Sequence, residues 1–202
     1  MTAEFIQTLA VPEQIPGIFT GEHLKGRKEP RIIMVGRSNV GKSSLINALL
    51  GTRLAQVSNH PGKTRAIHFY LWKEAKKIVA DLPGYGFAEA SQVDRTKWAA
   101  LIQAYLDADP IIEKALVLLD SRHGPTPKDF EAIKFLSGGG MPLSFIFTKS
   151  DQLKTQKVRA QRHKEAALAL SELGYNPKQA HWISVKDGDG LKQLSASIVA
   201  PL

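Results

Sequence analysis

The chain has 202 residues, no cysteine and a formal net charge of +8, with 43% apolar and 23% charged residues. This excludes disulfide and thiol chemistry, and no apolar run approaches the roughly 20 residues that a membrane-spanning helix needs. The composition suits one soluble globular domain with a sizeable core. Its basic excess points to a polyanionic partner such as RNA or an acidic membrane surface, or else to a site that needs positive charge for phosphates.

Residues 1–30 read as an N-terminal extension and 31–202 as a single domain. Met1 to Ala10 carries an acid and no basic segment, so a secretory signal is not expected, and with the missing cysteines a cytoplasmic location is. Phe5–Val11 reads as a short edge strand, after which Pro12, Pro16, Gly17, Gly21 and Gly26 break regular structure. Lys25-Gly26-Arg27-Lys28 is a basic loop, either solvated or in contact with RNA.

Arg31–Val35 is an apolar run that reads as a buried strand, and Ser44–Leu50 has the apolar spacing of a helix closed by Gly51. Between them lies Gly36-Arg37-Ser38-Asn39-Val40-Gly41-Lys42-Ser43, a Gly-x-x-x-x-Gly-Lys-Ser loop in the strand–loop–helix context that makes it a phosphate site. Gly36 and Gly41 let backbone amides curl onto a phosphate. The helix start adds partial positive charge. Lys42 reaches the β- and γ-phosphates, and the Ser43 hydroxyl is a hard ligand for Mg2+.

Thr52–Lys63 lacks apolar periodicity and is expected to be a mobile loop. Arg65–Trp72 and Lys76–Asp81 read as strands, Gln92–Asp107 as a helix, and Lys114–Asp120 as a parallel strand covered on both faces. Lys128–Leu136 follows as a helix, Leu143–Thr148 as a strand, Thr155–Leu173 as a long helix, Ala180–Ser184 as a last strand and Leu191–Val199 as a last helix. This alternation argues for an α/β doubly wound, mostly parallel sheet of six strands, or seven with Phe5–Val11.

In such sheets ligands bind beyond the carboxyl ends of the strands, where further clusters fall. Asp81-Leu82-Pro83-Gly84 offers a carboxylate for Mg2+ and a Gly84 amide for a γ-phosphate, or a simple strand cap. Thr64, in Pro61-Gly62-Lys63-Thr64, can join the metal shell only when a third phosphate draws its loop in; otherwise it is a turn residue. In Thr148-Lys149-Ser150-Asp151 the carboxylate can accept from N1–H and the exocyclic amine of guanine, while the Lys149 stem lies along the base. An amide of the loop beginning Ser184-Val185-Lys186 can meet guanine O6.

With these motifs in place the chain resembles the translation-factor-related GTPases of the TrmE–Era–EngA–EngB group, and most of all the EngB (YihA/YsxC) family, over nearly its whole length. The resemblance implies a P-loop GTPase fold, GTP and GDP as ligands with Mg2+, slow hydrolysis, a role in assembly of the large ribosomal (50S) subunit, and a need for the protein in normal cell division and septation. It carries nucleotide contacts onto Gly36 through Ser44, including Arg37, Ser38, Asn39 and Val40, and onto Gly62, Lys63 and Thr64. Further contacts fall on Asp81, Leu82, Pro83 and Gly84, on Thr148, Lys149, Ser150 and Asp151, and on Ile183, Ser184 and Val185. Metal ligation falls on Ser43, Thr64 and Asp81, and hydrolysis on Lys42, Thr64, Gly84 and Asn39. The guanine motif begins with Thr148 where many GTPases have Asn.

Tyr85 stands where many GTPases carry a water-orienting Gln, so intrinsic turnover is expected to be low. The Asn39 amide either holds K+ beside the phosphates or bridges the loop by a hydrogen bond. Lys154, Lys157, Arg159, Arg162, His163 and Lys164, with Lys25, Arg27, Lys28, Lys63 and Arg65, form either one rRNA-facing surface or ordinary solvated charge. The expected partner is the large subunit or its precursor, met by a monomer. The competing readings are a division-apparatus binding protein using nucleotide structurally and a P-loop small-molecule kinase.

Overall fold

The computed structural model describes residues 2–20, 24, 26–56, 66–85 and 92–200. Its elements run β1 (Ala3–Leu9), α1 (Ile15–Thr20), β2 (Arg31–Gly36), α2 (Lys42–Leu50), β3 (Ile67–Trp72), β4 (Lys77–Asp81), α3 (Gln92–Ala108), β5 (Ile112–Asp120), α4 (Pro127–Ser137), β6 (Leu143–Thr148), α5 (Gln156–Glu172), β7 (His181–Trp182) and α6 (Leu191–Val199). The strands make one seven-stranded sheet in the order β1-β3-β4-β2-β5-β6-β7. β1 and β3 pair antiparallel, as do β3 and β4; every pairing from β4 to β7 is parallel.

The near-continuous apolar strands are buried because helices cover both faces. On one face Leu45, Ile46 and Leu50 of α2 and Leu194 and Ile198 of α6 pack with Met34, Leu116, Leu118 and Ile146. On the other, Ile18 of α1, Leu101 of α3, Ile133 of α4 and Leu170 of α5 join Val35, Phe69, Val117 and Phe145. β2 is the branch point: the chain builds β3 and β4 to one side of it, then β5 to β7 to the other. A sheet of this kind opens a crevice at that switch, where the phosphate loop lies.

Several elements depart from the sequence reading. The Pro12–Gly26 stretch is not wholly irregular: a 3-10 turn at Pro12–Gln14 leads into α1. The Gln14 Oε1 accepts from the Ala10 and Val11 amides at 2.7 and 3.2 Å, and Ile15 and Ile18 are buried, so packing overrides the breakers. The last strand is two residues long, not five; the Ser184 amide donates to the Asp189 carbonyl at 3.0 Å, turning the chain into a loop. The expected mobile loop is pinned in its first part. Asn47 Oδ1 accepts from the Ala55 amide and its Nδ2 donates to the Ala55 carbonyl, both at 2.8 Å. The rest of that stretch, 57–63, lies outside the described residues.

The basic residues do not form one surface. Arg27 is 3.1 Å from Glu29 and 3.6 Å from Glu4 of β1, at one edge of the sheet. α5 packs by β7 at the opposite edge, where the His163 ring stacks on Trp182 at 3.7 Å and Trp182 on Phe147 at 4.4 Å. Lys25, Lys63 and Arg65 lie outside the described residues.

This stack carries a pH dependence. His163 is exposed overall, but partial desolvation of its imidazole where it stacks on Trp182 holds its pKa below the ordinary 6.5, and Arg159 adds to the effect. Burial, with Lys114, does the same to His181. A lowered folded-state pKa means that the unfolded chain takes up the proton first as pH falls, so stability present above 6.5 declines through and below that value. Thermal melts should give a lower Tm at pH 5.5 than at pH 7.5. His163→Gln should shrink that difference; a variant with the full wild-type difference would remove His163 from the effect.

Candidate nucleotide-binding site

β2 ends at Gly36, where a Cβ would lie 2.8 Å from Val40 Cγ1 and 3.0 Å from the Leu118 carbonyl oxygen. The chain then curls through two left-handed residues, Asn39 (φ 63°) and Gly41 (φ 102°). Gly41 is the N-cap of α2 and no side chain caps that helix, so the first-turn amides are left for an anion. The Ser38 hydroxyl is buried beside them with no hydrogen-bond partner among the described residues. An orphaned donor within a curl of amides fits an oxygen-rich ligand such as a phosphate chain.

The Asp81–Gly84 turn lies against this loop. Register pairs Met34 with Asp81, and the Leu82 amide donates to the Met34 carbonyl at 3.0 Å. Lys42 and Asp81 form a buried ion pair, bringing together the cation assigned to phosphate and the carboxylate assigned to Mg2+. Each can exchange its partner for a phosphate or a metal without leaving a buried charge uncompensated. The Tyr85 amide donates to the Gly36 carbonyl at 3.2 Å, and the Ser38 amide to the Tyr85 carbonyl at 3.1 Å. A Cβ on Gly84 would press at 3.2 Å on the Gly36 oxygen and the Ser38 nitrogen, so this close approach favours glycine.

Tyr85 is turned away from the loop into the core. Its hydroxyl donates to Asp129 Oδ1 at 2.7 Å, and burial, with that carboxylate, pushes its pKa far above the ordinary value. Asp129 is itself held in the capping box of α4, where its Oδ2 accepts from the Thr126 amide at 2.7 Å. Trp98 of α3 donates to the Pro83 carbonyl at 2.9 Å. Two helices therefore fasten the segment that follows Asp81, and the Tyr85 side chain has no amide with which to orient water.

At the base end, the Thr148 hydroxyl donates to the Val40 carbonyl at 2.7 Å and Lys149 Nζ to the Asn39 carbonyl at 2.6 Å. The motif expected to read the base is thus tied directly to the phosphate loop. Lys149 adopts φ 61°, and the Ser150 amide donates to the Ile183 carbonyl at 3.1 Å, which joins the motif to the chain after β7. Asp151 and Lys186 line a cleft of about 590 Å3 with Arg122, Gln152, Leu153, Lys154 and Val158. The Ser184 amide is consumed by the Asp189 carbonyl, which leaves the O6 role to the amides of Val185 and Lys186.

Gly62, Lys63 and Thr64 lie outside the described residues. Two further groups stand beside the site residues without a sequence motif to mark them. His68 is the register partner of Asp81, its Nδ1 lies 2.8 Å from the Thr8 hydroxyl, and burial lowers its pKa against the opposing pull of Asp81. Asp120 and Arg122 form a fork beside Lys149. A carboxylate ending an apolar strand was the available signal for Asp120.

The fold and this site define a phosphate-loop GTPase, and residues 31–149 match the family described as "50S ribosome-binding GTPase". The chain is 46% identical over 149 residues to the probable GTP-binding protein EngB of Oleidesulfovibrio alaskensis, spanning 73% of this chain and 68% of that protein. It is 39% identical over 198 residues to the probable GTP-binding protein EngB of Cytophaga hutchinsonii, spanning 96% and 92%. Among solved structures it resembles a probable GTP-binding protein engB at 28% identity and TM-score 0.63, over 84% of this chain and 98% of that one. It also resembles an Aquifex aeolicus Era variant bound to GDP and aluminium fluoride, at 26% identity and TM-score 0.69 over 85% and 56%. The chain belongs to the EngB family of GTP-binding proteins and is a GTPase, with GTP, GDP and Mg2+ as its ligands. Among the described residues no helix is long and apolar enough to cross a membrane.

Proposed function

We propose that the chain is a GTP switch of low intrinsic turnover that acts on the large ribosomal subunit during its assembly, as a cytoplasmic monomer, and that normal division and septation depend on it. In this reading the loop from Gly36 to Ser44 and the Lys42 ammonium hold the phosphates. Ser43, Thr64 and Asp81 would hold Mg2+, which would offset the negative charge that develops on the phosphates. Thr64 and Gly84 sense the third phosphate, and Asn39 either holds K+ or bridges the loop by a hydrogen bond. Thr148 and Lys149 brace the base pocket, Asp151 reads the guanine edge, and an amide of the loop that follows Ile183 and Ser184, that of Val185 or Lys186, meets O6.

The observation that carries the ribosomal part is the cationic face of α5 beside Asp151. Lys154, Lys157 and Lys164 are exposed and make no ion pair among the described residues. Arg159 donates to the Leu153 carbonyl at 3.1 Å and Arg162 lies 2.6 Å from Glu165, so the lysines are the free cations of the group. Lys157 and Lys164 stand two turns apart on one side, about 10 Å along the helix, so both can meet phosphates of one RNA backbone, though not adjacent ones. The family description, a ribosome-binding GTPase, favours RNA over other polyanions.

Co-sedimentation with large subunits in GTP, GDP or no nucleotide tests the reading. Binding should be strongest with GTP. Lys157→Glu with Lys164→Glu should weaken it about tenfold at moderate salt and flatten its salt dependence by roughly two phosphate contacts. Binding that ignores both nucleotide and charge reversal would contradict the proposal, and no binding at all would favour a division-apparatus partner.

A further inference from the structure

We infer that Asp120 is a positioning residue for guanine specificity: it holds the Arg122 guanidinium away from Asp151, so that the reading carboxylate stays free for the base. The inference rests on Asp151 as the guanine reader.

β5 ends at Asp120, the register partner of Thr148, the first residue of the guanine motif at the end of β6. It accepts from Arg122 Nε at 2.8 Å on Oδ1 and from Arg122 Nη2 at 2.7 Å on Oδ2. It also accepts from the Arg122 amide at 3.1 Å and from Lys149 Nζ at 2.9 Å. Burial works to raise its pKa, but the Arg122 and Lys149 donors outweigh that and hold it at about 2. The group is therefore anionic at neutral pH and gathers two cations.

Asp151 presents the opposite picture. Among the described residues it accepts no hydrogen bond and forms no ion pair, although Arg122 lines the same cleft and feels its charge. Arg122 Nη1 already reaches Gln152 Oε1, next to Asp151, at 3.2 Å. Lys149 has a second tether at the Asn39 carbonyl, 2.6 Å away, whereas both remaining guanidinium nitrogens of Arg122 depend on Asp120. Without the Asp120 charge, Arg122 is the cation that can swing onto Asp151. A guanidinium fork there would occupy both carboxylate oxygens, the two that N1–H and the exocyclic amine of guanine require.

The test compares dissociation constants for GDP and IDP, since hypoxanthine lacks the exocyclic amine. The wild type should prefer GDP. Asp120→Asn should compress the GDP:IDP ratio about tenfold, the scale of one charge-assisted hydrogen bond. Asp120→Asn with Arg122→Gln should return the ratio to within about twofold of wild type, because the competing cation is gone. A structural role alone would weaken GDP and IDP in parallel, and an unchanged ratio in Asp120→Asn overturns the inference. So does a ratio that stays compressed in the double variant. If Asp120→Asn alone does not fold, the double variant decides, and a compressed ratio there overturns the inference equally. A wild type that does not distinguish GDP from IDP would instead bring down the reading of Asp151, and this inference with it.

Discussion

Asp151→Asn is expected to convert a guanine site into a xanthine site. The Asp151 carboxylate lines the cleft and accepts no hydrogen bond among the described residues, Arg122 being held on Asp120. It can take both the N1 proton and the exocyclic amine of guanine, two hydrogen bonds to a charged group. An amide in its place keeps an acceptor for N1–H but turns an NH2 toward the guanine amine, donor against donor. Two charge-assisted bonds at about 1.5–3 kcal/mol each imply a loss of roughly 10^2- to 10^4-fold in GDP affinity. Xanthine carries a carbonyl where guanine carries the amine, so XDP should bind the variant more tightly than GDP does. Fluorescent-nucleotide titration reads both constants. A uniform loss for GDP, XDP and ADP alike would show that Asp151 supports the loop rather than reads the base.

Gly190→Ala should be the most damaging small substitution in the same region. Gly190 sits at φ +70° as N-cap of α6, and a Cβ there would lie 2.3 Å from the Trp182 carbonyl oxygen and 3.0 Å from Ile183 Cγ2. The first obstacle is backbone, so it cannot swing aside. The left-handed conformation alone disfavours alanine by about 1 kcal/mol, and displacing β7 raises the total to about 3 kcal/mol or more. For a chain of this size that corresponds to a fall in Tm of about 6–12 °C. The displacement would also pass into Ile183 and Ser184, so GDP affinity should fall in the variant even where it remains folded. A Tm within a degree or two of wild type would mean that the loop relaxes freely.

The parts of the site that were readable beforehand are those where one short segment contains its own explanation. Gly36, Gly41 and Lys42 sit between a run that can only be a buried strand and a helix with clear apolar spacing. α2 and α6 are observed over Lys42–Leu50 and Leu191–Val199, the expected spans or close to them. What escaped depends on strand order, which a linear pattern does not contain. Nothing local in Phe5–Val11 says that it pairs antiparallel with β3 at the far edge, opposite α5. That placement is why Arg27 and the α5 lysines are not one surface. Asp120 and Lys149 are 29 residues apart and meet only because β5 and β6 are neighbours in register. The lack of an amide on Tyr85 is plain from the sequence, but its bond to Asp129 is visible only with α4 packed against it.

The account stands on the joining of a phosphate grip to a purine-reading carboxylate in one crevice. Calorimetric titration of the wild-type chain with GDP and ADP, in Mg2+, tests that joining most directly. GDP should give a saturable heat of binding while ADP at the same concentrations gives none. Equal binding of the two, or no binding of either, would contradict it.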